Sequence, residues 1–262
     1  MNNEKVEQRL PFCLLSGKSA VVTGASRGIG RATAIRLAEA GANVIVNYLS
    51  SESEAEAAAR ECRDYGVRSI AVQADVSRPE GADRLIKAAL DEFGGFDIVI
   101  ANAGIWEGDP VEEMTEERWD RVIDANLKGT WTVCKAAIPH FKSNGGGSIV
   151  IVSSTAGQRG EAGYSNYAAS KGGQIAFTKA LSNELAPTIR VNAVAPGWVD
   201  TGLNDDVFCD PAFVKRVVAG IPLKRVATAD DIALSIAFLA SDWSRHITGE
   251  ILNINGGAVL CG

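Results

Sequence analysis

Short apolar runs alternate with amphipathic stretches along almost the whole chain. The runs are rich in Val and Ile, which is typical of strands buried on both faces of a sheet. They predict seven strands, at residues 19–23, 44–46, 69–73, 97–101, 148–152, 190–195 and 251–254. The stretches between them predict helices, at residues 31–40, 52–65, 79–93, 116–141, 166–185 and 229–240. This alternation predicts a single α/β domain with a doubly wound parallel sheet of seven strands flanked by helices.

The same alternation defines the domain organisation. It starts near residue 16 and continues without a linker or an internal repeat, so residues 16–262 are expected to form one domain and residues 1–15 an N-terminal extension. One segment, residues 202–222, indicates a loop and a short helix. We expect it to cover the ligand site as a lid that sets specificity.

Charge and composition exclude several classes of protein. The net charge of −6 is unlike the basic footprint of a nucleic-acid-binding domain. No stretch approaches the roughly 18 apolar residues of a membrane span. The five cysteines form no C-x-x-C pair and the two histidines are far apart, so neither a disulfide framework nor a metal site is expected. The sequence therefore predicts a cytoplasmic protein with reduced thiols and without nucleic-acid or membrane partners.

A glycine-rich turn follows the first predicted strand and opens the first helix. Strand, glycine turn and helix in this order form a nucleotide-binding unit, because glycines let the backbone approach a pyrophosphate and the helix N-terminus offers unpaired N–H groups. A tight turn without a ligand is the alternative. The candidate cofactor-binding residues in this turn are Gly24, Ser26, Arg27, Gly28, Ile29 and Gly30.

Other candidate residues lie just past the later strands, where ligands bind in parallel sheets. Asp75 could accept from an adenine amine, and the small residues after the fourth strand leave room for a ribose. For several of them a simple turn or capping role is the alternative. The cofactor-binding candidates at these strand ends are Asp75, Val76, Asn102, Ala103, Gly104, Pro196, Gly197 and Thr201.

A tyrosine and a lysine four residues apart provide candidate chemistry. Tyr167 and Lys171 lie on one face of a predicted helix. A phenol normally loses its proton near pH 10, and a neighbouring cation should lower that pKa, which would suit a general acid or base. An isolated pair of this kind is more often an ordinary helix face, so the interpretation depends on the accompanying motifs.

These motifs together resemble the short-chain dehydrogenase/reductase family over roughly residues 16–262. The resemblance is carried by their order and spacing, including a serine thirteen residues before the tyrosine. The 3-oxoacyl-thioester reductase and glucose-dehydrogenase-like branch is the most similar. The motifs are Thr23-Gly24-x-x-x-Gly28-x-Gly30, Asn102-Ala103-Gly104, Asn126, Ser154, Tyr167-x-x-x-Lys171 and Pro196-Gly197.

The resemblance implies a Rossmann-type fold, a nicotinamide cofactor and a catalytic set. Tyr167 would exchange a proton with the carbonyl or alcohol oxygen, and Ser154 would hydrogen-bond the same oxygen. Lys171 would lower the pKa of Tyr167 and hold the nicotinamide ribose. Asn126 would bend its helix and hold a water in a proton relay. The cofactor supplies the hydride chemistry, and the protein orients the reactants and polarises the carbonyl group.

Two positions favour NADPH over NADH. NAD enzymes usually carry an acidic residue at the end of the second strand, and this chain has Asn47 and Tyr48 there, both counted as cofactor-binding candidates. Arg27 could pair with the 2′-phosphate of NADPH, although a solvent-facing arginine is the alternative. We therefore expect NADPH, with NAD possible.

The expected function is a carbonyl reductase acting on a small-molecule ketone, with a 3-oxoacyl thioester as one candidate substrate. An NAD-linked sugar or polyol dehydrogenase and a non-catalytic cofactor sensor remain alternatives. Against an acyl-carrier-protein substrate, residues 144–147 and 186–188 lack basic side chains and only Lys142 is near. Candidate pocket residues are Trp106, Gln158, Arg159, Tyr164 and Trp198.

The resemblance also implies a homo-oligomer. Family members commonly pair their long fourth and fifth helices, here residues 116–141 and 166–185, across a two-fold axis, and often form tetramers through the C-terminal strand. Apolar residues on these helices could equally face the chain's own sheet. A dimer or tetramer is therefore an expectation from resemblance alone.

Overall fold

The computed structural model describes residues 14–202 and 208–260. Its centre is a parallel sheet of seven strands in the order β3-β2-β1-β4-β5-β6-β9. The strands are β1 (Ser19–Val22), β2 (Asn43–Tyr48), β3 (Ser69–Gln73), β4 (Ile98–Ala101), β5 (Gly147–Val152), β6 (Ile189–Pro196) and β9 (Ile251–Ile254). The predicted doubly wound seven-stranded sheet is therefore confirmed. A two-stranded parallel sheet, β7 (Val199–Asp200) with β8 (Ala227–Thr228), was not predicted, because two-residue strands leave no pattern in sequence.

Helices cover both faces of the large sheet. They are α1 (Gly28–Glu39), α2 (Glu52–Arg63), α3 (Pro79–Phe93), α4 (Glu116–Ile123), α5 (Gly129–Ser143), α6 (Ala156–Arg159), α7 (Ser165–Leu185), α8 (Pro211–Gly220) and α9 (Ala229–Ala240). Side chains of α1, α2 and α9 form one buried core with the sheet. Those of α3, α5 and α7 form the other. Successive strand residues point to opposite faces, so Val22 belongs to the first core and Val21 to the second.

The long helix predicted over residues 116–141 is interrupted. A π-helical turn, Asp124–Lys128, separates α4 from α5. Such turns are rare and occur frequently at functional sites. Asn126 lies inside this turn and is fully buried. The expected bend at Asn126 is therefore present, and its form is one π turn.

Two expectations fall partly outside the described residues. Residues 1–13 of the predicted extension lie there, but Leu15 packs in the first core and its N–H donates to Ala40 O at 2.8 Å, so the packed part of the chain includes it. Residues 203–207 of the predicted lid also lie outside, and the short helix expected there is α8. None of the helices within residues 14–202 and 208–260 is long and apolar enough to cross a membrane.

Candidate active site

A cavity of about 810 Å³ runs along the carboxyl ends of β1 to β6. It brings together the predicted cofactor residues, which are Gly24, Ser26, Arg27, Gly28, Ile29, Gly30, Asn47, Tyr48, Asp75, Val76, Asn102, Ala103, Gly104, Tyr167, Lys171, Pro196, Gly197 and Thr201. Ser154 also lines it, whereas the buried Asn126 stands behind its wall. The site therefore lies where ligands bind in open parallel sheets.

The turn between β1 and α1 leaves no room for a side chain at Gly24 or Gly30. Gly24 has a φ of 61°, and a Cβ there would stand 2.9 Å from Ala103 Cα. A Cβ on Gly30 would overlap the carbonyl oxygen of Gly24 and stand 2.5 Å from Asn102 Nδ2. No side chain caps the N-terminus of α1, so its first N–H groups face the cavity without a capping oxygen. This cradle fits the pyrophosphate of a dinucleotide cofactor.

Thr23 and Asn102 hold the glycine turn against β4. Asn102 Nδ2 donates to Thr23 O at 2.9 Å and to Gly24 O at 3.1 Å. Thr23 Oγ1 accepts the N–H groups of Asn102 and Ala103, each at 2.9 Å. The side chain of Asn102 is thus used within the protein, and it fixes the edge of the cavity on which a ribose would rest.

Asn47 has a similar structural use at the end of β2. Its Oδ1 accepts the Gly24 N–H at 3.2 Å, and its Nδ2 donates to Val72 O at 3.2 Å and Ala74 O at 3.1 Å. The residue is only 2% exposed. Its amide therefore joins the ends of three strands. The neighbouring Tyr48 and the exposed Arg27 also line the cavity at this end.

Asp75 closes a turn and also lines the cavity, and its contact with an adenine amine stays a prediction. Its Oδ1 accepts from Ser77 N at 3.0 Å and from Ser77 Oγ at 2.7 Å, which closes the turn before α3. The residue also lines the cavity, together with Arg78. Sequence reasoning missed Arg78, although a basic residue three positions past Asp75 at a strand end was a usable signal.

Ser154, Tyr167 and Lys171 meet in the cavity from two elements. Ser154 follows β5, and the other two residues lie on successive turns of α7. Lys171 Nζ donates to Val152 O at 2.8 Å and lies 5.6 Å from the centroid of the Tyr167 ring. The Ser154 hydroxyl lies near enough to the Tyr167 phenol to lower its pKa. A carbonyl oxygen placed between the two hydroxyls would contact both.

Burial, and not Lys171, dominates the pKa of Tyr167 in this structure, so a lowering of that pKa by Lys171 stays a prediction. Burial raises the pKa of Tyr167 to about 12, the Ser154 hydrogen bond opposes the rise, and the negative charge of Glu161 adds to it. Burial also lowers the pKa of Lys171 to about 7. Helical spacing correctly placed the two residues together, but spacing carries no information on burial, which dominates both pKa values. The phenol is therefore protonated at neutral pH.

Asn126 connects the π turn to the loop after β4 and to α7. Its Oδ1 accepts Ile105 N–H at 2.8 Å, and its Nδ2 donates to Ile105 O and Ser170 Oγ, both at 3.0 Å. Its main-chain carbonyl accepts from Thr130 Oγ1 at 2.8 Å and Gln174 Nε2 at 3.0 Å. Both lone pairs of that carbonyl thus have donors. A relay water held by Asn126 stays a prediction.

Sequence reasoning missed Ser170 and Gln174. They are buried on α7 at four-residue spacing, which was the available signal. Ser170 also donates to Tyr167 O at 2.7 Å. The pair therefore ties the catalytic helix to the π turn.

Three of the five candidate pocket residues line the cavity, namely Trp106, Arg159 and Trp198. Tyr164 stands behind Trp106, with ring centroids 4.4 Å apart. Gln158 points elsewhere, and its Nε2 donates to Asn253 Oδ1 at 2.6 Å.

Comparisons with known proteins agree with this geometry. The family profile described as Enoyl-(Acyl carrier protein) reductase, adh_short_C2, matches residues 24–259. The 3-oxoacyl-(acyl-carrier-protein) reductase FabG of Staphylococcus epidermidis is 42% identical over 244 residues, which cover 93% of this chain and 99% of the relative. The 3-oxoacyl-(acyl-carrier-protein) reductase of Synechocystis is 40% identical, with 94% and 98% covered.

A solved structure is also closely similar. It is a putative short-chain alcohol dehydrogenase from Sinorhizobium meliloti, with a TM-score of 0.91 and 36% identity, and the match covers 95% of this chain and 98% of that one. The chain belongs to the short-chain dehydrogenase/reductase family, as its motifs indicated. It is an oxidoreductase that acts on keto and alcohol groups and uses a nicotinamide cofactor.

Proposed function

We propose that this enzyme reduces a small-molecule ketone to a secondary alcohol with NADPH, and that Tyr167 donates the proton. The observation that carries the proposal is the half-buried Tyr167 side chain, which lines the cavity beside Ser154 and Lys171 and whose pKa of about 12 keeps the phenol protonated at neutral pH. A phenol that keeps its proton is ready to act as a general acid on a carbonyl oxygen.

The residues around Tyr167 have separate tasks in this reaction. Ser154 donates to the carbonyl oxygen and stabilises the negative charge that develops there. Lys171, with a pKa of about 7, can pass a proton toward the phenol near neutral pH. Asn126 and Ser170 fix the position of α7 and therefore of both residues. The nicotinamide cofactor supplies the hydride when bound.

NADPH is the proposed cofactor because Arg27 is exposed at the end of the cavity where the second strand offers no free carboxylate. An arginine can hold the 2′-phosphate by two parallel hydrogen bonds. The buried amide of Asn47 is already occupied by protein atoms. This arrangement supports a phosphate-binding arginine in place of a ribose-binding carboxylate.

Replacing Arg27 with Ala should raise KM for NADPH by about tenfold or more and leave KM for NADH within about twofold, since only the phosphate contact is lost. Steady-state kinetics with both cofactors measures this. Arg84→Ala, an exposed arginine on α3 away from the cavity, is the matched control. Equal effects on the two cofactors would remove Arg27 from the 2′-phosphate site.

A 3-oxoacyl thioester is a second candidate substrate, because relatives at 42% and 40% identity are named for that reaction. The loop after α5 offers an acidic carrier little positive charge, since residues 144–147 read Asn-Gly-Gly-Gly. Oxidation of NADPH should be followed with acetoacetyl-CoA, a simple β-keto ester and crotonyl-CoA. Turnover of crotonyl-CoA alone, or of polyols with NAD⁺ alone, would overturn the ketone-reductase proposal.

We also propose a cytoplasmic homo-oligomer, a dimer or tetramer paired through α4, α5 and α7. Support comes from two large aromatic side chains on these helices, Trp119 and Trp131, which are 38% and 41% exposed in the single chain. The buried free thiols of Cys62 and Cys134 suit a reducing compartment. Light scattering after size exclusion tests the assembly, and a monomer at micromolar concentration would contradict it.

A further inference from the structure

We propose that the ketone substrate is uncharged and carries an aromatic or similarly flat apolar group, held in a corner formed by Trp106 and Trp198. The inference rests on the proposed function and names its substrate class. Both indoles line the cavity that contains Tyr167 and Ser154. The corner is thus part of the catalytic chamber.

The two indoles stand almost at right angles. Their ring centroids are 5.8 Å apart and their planes meet at 88°. Trp106 is backed by Tyr164, which stacks on it at 4.4 Å and 13°. A flat ring laid against one indole face would meet the other indole in an edge-to-face arrangement, and aromatic pairs favour both of these geometries. A flexible acyl chain would gain neither contact in full.

The loop that carries Trp106 is fixed before any substrate binds. A Cβ on Gly108 would overlap the carbonyl oxygen of Gly163 and stand 2.5 Å from the Tyr164 ring, so the loop packs directly on the segment before α7. Arg118 Nη1 also donates to Gly108 O at 3.3 Å and pairs with Asp109 at 2.6 Å. A preorganised aromatic wall loses little entropy on binding, which favours a rigid flat ligand.

On the lid side, the described aromatic residues that border the corner are half-buried. Phe213 on α8 meets the Trp198 ring at 5.4 Å and 85°, and Phe208 meets it at 5.8 Å. In the described part of the chain no residue of α8 is buried, although its inner positions Phe213 and Val217 are apolar. An apolar group seated beneath α8 would complete the burial of this face.

The charges near the corner favour a neutral substrate. Arg121 lines the cavity and pairs with Glu107, next to Trp106, at 2.9 Å. Arg159 lines it as well and pairs with Glu161 at 2.7 Å. Both arginines are therefore already neutralised by carboxylates. A substrate with a phosphate or carboxylate at this end would have to displace one of these partners.

The test compares two β-keto esters that differ only in the group on the ketone, ethyl benzoylacetate with phenyl and ethyl acetoacetate with methyl. With NADPH, the wild-type kcat/KM should be about three- to tenfold higher for the phenyl compound, the gain expected of one aromatic contact. Trp106→Ala should remove most of this preference and change the methyl compound by less than about threefold. Trp106→Phe, which keeps a flat ring, should retain most of the preference.

Trp243→Ala is the matched control, because Trp243 is 59% exposed and outside the cavity. It should leave both kinetic constants unchanged, and thermal melting would verify that all variants fold. Equal or better turnover of the methyl compound, or of acetoacetyl-CoA, would overturn the aromatic proposal while the ketone-reductase function stands. Turnover of no ketone with either reduced cofactor would overturn the proposed function itself.

Discussion

Replacing Tyr167 with Phe should lower kcat for ketone reduction by about 10³-fold and leave KM for NADPH nearly unchanged. A positioned general acid typically contributes 10²–10⁴-fold, and Phe keeps the ring in place while removing the phenol that donates the proton. Steady-state kinetics with the best ketone substrate measures the loss.

The matched control is Tyr65→Phe, which removes a phenol outside the cavity and should retain wild-type kcat. The kcat of Ser154→Ala should lie between those of Tyr65→Phe and Tyr167→Phe. We expect a loss of about 10²-fold, because the variant lacks one donor to the developing oxyanion. Wild-type turnover by the Tyr167 variant would show that another group donates the proton.

Lys171→Met should abolish most activity and at the same time raise the stability of the fold at neutral pH. Burial lowers the pKa of Lys171 from 10.5 to about 7. The buried lysine therefore lowers the free energy of unfolding of the wild type. Between these two values the unfolded chain binds the proton and the folded chain does not. The stability of the wild type therefore rises with pH relative to the variant, by up to about 1.4 kcal/mol per unit.

The extra stability of Lys171→Met over the wild type should be largest below pH 7 and should disappear as the pH approaches 10.5. The difference in melting temperature should narrow by roughly 3–6 °C between pH 7 and pH 8.5, as about 1.6 kcal/mol does in a chain of this size. Lys179→Met, an exposed lysine two turns further along α7, should show no such slope. A melting difference that is flat with pH would mean that Lys171 has an ordinary pKa in the fold.

The sequence predicted the architecture and the composition of the site because both depend on order along the chain. Apolar runs mark strands buried on both faces, and residues that follow such strands converge at one edge of a parallel sheet. The glycine turn could be predicted for a related reason. A Cβ at Gly24 or Gly30 would collide with protein backbone, so the glycines themselves report the close approach.

Contacts between residues that are distant in sequence, and the burial of single side chains, could not be predicted from order along the chain. The sign of the Tyr167 pKa shift depends on burial, and a Y-x-x-x-K spacing says only that two side chains share a helix face. Asn47 links strand ends by hydrogen bonds to Val72 O and Ala74 O. These bonds could be recognised only once the positions of the two carbonyl groups were known. Tyr164 stacks on Trp106 although the two residues are 58 positions apart, and no local sequence pattern predicts this contact.

The most direct test of the proposed reaction follows the hydride to its destination. Wild-type enzyme should be incubated with a ketone and NADPH that carries deuterium at both C4 positions of the nicotinamide, and the product analysed by mass spectrometry and NMR. The account predicts one deuterium on the carbinol carbon of a secondary alcohol per NADPH consumed, and almost none with Tyr167→Phe. Deuterium on another carbon of a product that keeps its carbonyl, or equal yields from the two proteins, would contradict it.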